Sequence, residues 1–134
     1  MDLKSVQGLK FATDLVRASD VLLENFGAGV LDRLGLGYDA MQEINPSLVY
    51  CALKGFLSGP YEQRAALDEV VQMMGGLAYM TGPEGRPLRA GASVNDVMGG
   101  LFGVIAIQAA LWERQRTGKG TFVRAGLFEN NLFL

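Results

Sequence analysis

The sequence predicts an α/β fold: a Rossmann-like, mainly parallel sheet with flanking helices, in one unit over residues 1–134. Three observations carry this. Segments with apolar residues at helical spacing alternate with short β-prone apolar runs. The runs Val21-Leu22-Leu23 and Leu48 to Leu53 are continuous rather than alternating, the pattern of strands covered on both faces. Each is bounded by turn formers, with Ser19-Asp20 before the first and Gly27-Ala28-Gly29 after it, and Asn45-Pro46 before the second.

In order, Leu9 to Arg17 places Leu9, Ala12, Leu15 and Val16 on one helical face. The first strand begins at Val21 and delivers Asn25 and Phe26 to its carboxyl end, where open α/β sheets bind ligands. Val30 to Leu34 starts a short helix, and Tyr38 to Asn45 is another, stopped by Asn45-Pro46. The second strand, Leu48 to Leu53, carries Lys54-Gly55-Phe56 at its end. Leu67 to Met80 reads as one helix with Val70, Val71, Met74 and Leu77 inward.

The stretch from Arg86 to Gly120 is the centre of the chain. Val97 to Trp112 has no charged side chain, so the helix it forms must be buried in a core or a bilayer. A span needs roughly 20 apolar residues, and this run is shorter, so the reading is a buried soluble helix with no membrane partner. Ser93 or Asn95 would cap its start, Arg114 and Arg116 suit its end, and Gly118 suits the left-handed position beyond. Asp96 stands at the mouth of this helix, either as a further cap or as a positioned acid or nucleophile. Thr121 to Ala125 completes three strands. A chain that opens on a helix and closes on Leu132-Phe133-Leu134 reads as part of a larger fold.

Composition narrows the function. Apolar residues are 49%, charged residues 19%, and the formal net charge is −2, so there is no broad basic face for nucleic acid. Met1 to Lys10 lacks the apolar core of a secretory signal, and one cysteine excludes an internal disulfide; the expected setting is cytoplasmic. The absence of histidine excludes Ser-His and Cys-His pairs and the histidine-based zinc sites. Neither GxxxxGK[ST] nor GxGxxG occurs. What remains is a set of polar groups near element ends, Lys4, Asn25, Arg33 and Lys54; each alone reads as a solvated surface residue, and together, at the carboxyl side of a parallel sheet, they could grip a phosphorylated ligand.

These residues carry a resemblance. Asp2-Leu3-Lys4-Ser5, the block from Ser19-Asp20 to Tyr38, Ile44 to Tyr50, Lys54-Gly55-Phe56, Gly75-Gly76-Leu77 and the stretch holding Asp96 and Trp112 to Gly120 are similar to the class III CoA-transferase family. Formyl-CoA transferase, carnitine CoA-transferases and α-methylacyl-CoA racemase belong to it, and its members are about three times longer. The resemblance implies transfer of CoA between an acyl-CoA and a carboxylic acid, with Asp96 as the nucleophile and an aspartyl anhydride or thioester as intermediate. It implies that Asn25 and Phe26 contact CoA and that Lys4, Arg33 and Lys54 hold its anionic end. It also implies a homodimer. Racemases of the family carry His-Asp where this chain has Leu67-Asp68, so racemisation is not expected. The alternative is a truncated, non-catalytic module that binds CoA or assembles. The start of the central helix and Gly99-Gly100 are the expected oxyanion donors, and the same N–H groups would hold the Asp96 pKa near or below its ordinary value.

Overall fold

The computed structural model describes residues 2–134. Its elements run α1 (Val6–Arg17), β1 (Val21–Glu24), α2 (Val30–Arg33), α3 (Tyr38–Ile44), β2 (Val49–Lys54), α4 (Asp68–Met74), α5 (Leu77–Thr81), α6 (Val94–Thr117), β3 (Thr121–Gly126) and α7 (Leu127–Asn131). Helix α1 starts where Ser5 Oγ accepts the Gly8 N–H at 3.0 Å, satisfying one of the orphan donors of the first turn. It therefore begins three residues earlier than its apolar spacing alone suggests.

The sheet has the order β1-β2-β3 and is parallel throughout, with Val21 opposite Val49 and Val49 opposite Thr121. Alternation sends the two sides of β2 into different layers. Tyr50 and Ala52 join Val16, Leu31, Leu36, Met41 and Leu48 in a core under α1, α2 and α3. Cys51 and Leu53 face α6 instead, where a Cβ on Gly103 would stand 2.8 Å from Leu53 Cδ2 and 3.7 Å from Cys51 Sγ. Gly103 is thus a point of close approach between helix and sheet. Asn45 ties the turns below the sheet together: its Nδ2 donates to Val16 O and Ser19 O at 3.0 and 2.9 Å, while its Oδ1 accepts from Ser47.

Four features differ from the sequence reading. Leu67 to Met80 is two helices, because Gly76 adopts φ 92°, a conformation that L residues rarely reach, and ends the α4 ladder. α6 has the expected extent, 24 residues through the charged tail, and Gly118 beyond it is left-handed as expected, φ 70°. Its apolar circumference is not fully covered: Gly99, Gly103 and Ala110 lie inward, whereas Ile105 and Trp112 are 62% and 69% exposed. By length and composition alone this helix passes for a membrane span, yet its inner face is packed on the sheet. Neither expected cap of α6 operates. Ser93 makes no side-chain cap bond, and the Asn95 side chain points into the interior, where its Oδ1 accepts from Asn131 Nδ2 at 3.2 Å. The fourth feature is α7, which the terminal apolar residues did not announce.

Candidate active site

The carboxyl ends of β1 and β2 open toward the first turn of α6, leaving a cleft of about 470 Å³ lined by Asn25, Lys54, Leu67, Asp68, Asp96 and Gly99 among others. A second cavity of about 250 Å³ shares Asn25 and Lys54 with it and adds Phe26 and Arg64. Asn25, Lys54 and Asp96 therefore share the cleft, and Phe26 lines the cavity next to it. Lys4 is exposed at the entry to α1 and Arg33 is exposed at the end of α2, and neither lines the cleft or that cavity. Leu3, next to Lys4, lines an apolar groove with Glu24 and Phe26 on the outer side of β1. Across the sheet a further cavity of about 330 Å³ is walled by Tyr38, Tyr50, Phe122 and Arg124 and does not include Asp96.

Lys54 is held rather than free. Its ammonium lies 2.6 Å from Glu24 Oε1 and donates to Phe26 O at 2.8 Å. Glu24 is 6% exposed, and its Oε2 accepts the Phe26 N–H at 2.8 Å. One buried carboxylate thus fixes both the lysine and the backbone that turns out of β1 toward Asn25. A buried charge of this kind persists only when paired and hydrogen-bonded, and both conditions are met here. An ammonium has three protons, so one on Lys54 remains for a ligand.

Asp96 is the third residue of α6 and its side chain is exposed to the cleft. Its pKa is raised above the ordinary aspartate value, by partial burial first and then by the charges of Asp68 and Glu69, with Arg89 opposing. This overturns the expectation of a value held near or below normal. The reason is that the N–H groups meant to stabilise Asp96 are already engaged by another carboxylate. Asp68 Oδ2 accepts from Asn95 N at 2.7 Å and from Asp96 N at 3.1 Å. The Val97 N–H is bonded to Ser93 O at 3.1 Å, and Gly99 and Gly100 lie inside the helix rather than in a turn. The expected oxyanion donors are therefore spent on the fold.

Asp68 is the residue that sequence reasoning missed. It is 3% exposed, and its Oδ1 accepts from the Gln72 side-chain amide one turn along α4. An acid at the start of a predicted helix reads as a dipole partner for its own helix. Nothing local to Leu67-Asp68 points to a helix that starts 26 residues later.

Comparison with known proteins gives the family. Residues 1–134 match the description CoA-transferase family III. The chain is 44% identical over 128 residues to a formyl-CoA:oxalate CoA-transferase of Streptomyces coelicolor, covering 95% of this chain and 31% of that protein. It is 41% identical to a succinate–glutarate CoA-transferase of Agrobacterium fabrum, over 96% of this chain and 32% of the relative. The crystal structure of a CAIB/BAIF family protein from Brucella suis superposes with a TM-score of 0.94 at 41% identity, over 99% of this chain and 36% of that one. The chain thus spans about a third of the length of the curated relatives it matches. A helix-flanked parallel sheet, a family match over residues 1–134 and this likeness along the whole length make the chain a member of the CoA-transferase family III.

Proposed function

We propose that this chain carries the nucleophile and part of the CoA site of a CoA-transferase that exchanges CoA between an acyl-CoA and a carboxylic acid. The observation that supports it is the convergence of Asp96, Asn25 and Lys54 on one open cleft in a chain with no histidine, where the neighbouring carboxylate, Asp68, is buried and bonded to the start of α6. An Asp96 carboxylate oxygen attacks the thioester carbonyl, the C–S bond breaks, and CoA leaves as thiolate from a mixed anhydride. The thiolate then attacks the aspartyl carbonyl, releasing the first acid and leaving an aspartyl thioester. The acceptor carboxylate and the returning thiolate repeat these two steps in reverse, regenerating Asp96. A thiol has an ordinary pKa near 8.5, so its departure needs no strong general acid. The spare Lys54 proton and the Asn25 amide are the groups able to meet negative oxygen. CoA enters as substrate, with Asn25, Phe26 and Lys54 nearest the reacting end and Lys4 and Arg33 on the outer approach. The setting is cytoplasmic and the working form a homodimer.

A second reading has one observation behind it. The broad exposed apolar face on α6 also suits a non-catalytic CoA-binding or assembly module. Exchange of labelled CoA between short acyl-CoAs and carboxylic acids separates the two. The first reading requires turnover that Asp96→Asn abolishes; saturable CoA binding without turnover leaves the second.

A further inference from the structure

Asp68 and Gln72 sit one turn apart on α4, and both are buried, with Gln72 at 0% exposure. Gln72 Oε1 accepts the Ala90 N–H at 2.6 Å and its Nε2 lies 3.3 Å from Ala92 O, so this one side chain holds the last residues of the loop that leads into α6. The same Nε2 donates to Asp68, which in turn receives the Asn95 and Asp96 N–H groups. The side-chain acceptor for these two N–H groups therefore comes from α4, while Asn131 of α7 holds the Asn95 side chain and the helix's own Ser93 makes no side-chain cap bond. We infer that Asp68 and Gln72 form the positioning pair of the site, clamping the start of α6 so that the Asp96 carboxylate is presented to the cleft. This rests on the transferase reading for its purpose, not for its geometry.

The choice of residue supports the assignment. A hydroxyl or amide caps a helix about as well as a carboxylate does, and burying a carboxylate costs desolvation that a neutral cap avoids. The charged acceptor does something more: it stands beside Asp96 and raises that residue's affinity for protons. The groups facing Asp96 are Asp68 and Glu69 from α4, Arg89 from the preceding loop, and Lys54 across the cleft, the last already paired with Glu24. A more basic carboxylate is, once ionised, a better nucleophile, and Asp68 adds to the basicity that partial burial begins, without touching substrate.

The test uses the full chain and two readouts that do not require turnover. In Asp68→Ala the amide protons of Asn95 and Asp96 should lose about tenfold or more of their hydrogen-exchange protection, while amides in the middle of α6 do not. Asp68→Asn keeps an acceptor oxygen but turns an NH₂ toward the Gln72 NH₂; it should lower the Asp96 titration midpoint followed by carboxyl carbon NMR. Adding Gln72→Glu returns the charge and gives the new amide an acceptor, so protection and midpoint should both move back toward wild type. In turnover, Asp68→Asn should lower kcat with little change in KM for acyl-CoA. Unchanged protection of the two amides, or an unmoved Asp96 midpoint in Asp68→Asn, overturns the inference. Should Asp68→Ala not fold, the Asp68→Asn readings decide. Failure of the transferase reading would show elsewhere, as exchange that survives Asp96→Asn.

Discussion

At the scale of single residues, the pairing of Lys54 with Glu24 decides what a binding experiment can report. Truncating Lys54 strands a carboxylate that is 6% exposed. Breaking a fully buried pair costs about 3–5 kcal/mol; because Lys54 still reaches water, the expected loss for Lys54→Ala is about 2 kcal/mol. Glu24→Gln added to Lys54→Ala should recover much of that in urea unfolding, while weakened CoA binding persists. Recovery of both together would mean that Lys54 matters to the fold alone. Asp96→Asn should behave differently, because the Asp96 side chain is exposed and the cap belongs to Asp68. Its stability at neutral pH should lie within about 0.5 kcal/mol of wild type. The direction follows from the raised pKa: the folded state binds the Asp96 proton more tightly than the unfolded chain does. Wild type therefore loses stability relative to Asp96→Asn as pH rises through that titration. A variant that loses stability at neutral pH instead would contradict the assignment of the raised pKa. Asp96, Asn25 and Lys54 were all visible in the sequence as polar groups at element ends. Asp68 was not, because its partners lie 27 and 28 residues away and only folding brings them together.

At the scale of elements, the glycines of α6 separate packing from propensity. A Cβ on Gly100 meets nothing within 4 Å, whereas one on Gly103 meets Leu53 at 2.8 Å. Gly100→Ala should stabilise the chain by about 0.5–1 kcal/mol, the ordinary helix gain. Gly103→Ala gains the same propensity but must push the helix or Leu53 aside, a strain of about 1–3 kcal/mol, so it should be neutral to destabilising. Equal rises in Tm for both variants would show that α6 does not lie on the sheet as described. Most elements were legible, because continuous apolar strands and capped amphipathic helices announce themselves locally. The break between α4 and α5 was hidden because apolar spacing continues across Gly75-Gly76, and the pattern outweighed the backbone freedom of glycine. The partial exposure of α6 was hidden for a deeper reason: an apolar circumference says that a helix is to be covered, not by what.

At the scale of the whole molecule, the uncovered surface is the main fact left over. Leu101, Val104, Ile105 and Trp112 on α6 are each more than half exposed. Contiguous apolar patches of this kind mark interfaces, and closed two-fold pairing is their simplest resolution. Light scattering at micromolar concentration should therefore report a dimer or larger species, and Leu101→Glu with Ile105→Glu should shift it toward monomer. A monodisperse wild-type monomer would contradict this. If Asp96 is the nucleophile, its carboxylate forms a covalent intermediate with the acyl group or with CoA, and intact and peptide mass analysis after mixing the protein with an acyl-CoA and quenching detects it most directly. The expected result is an aspartyl thioester or anhydride on the peptide containing Asp96, converted to a hydroxamate by hydroxylamine and absent in Asp96→Asn. Turnover in the wild type with no adduct at Asp96, or with exchange intact in Asp96→Asn, would contradict it.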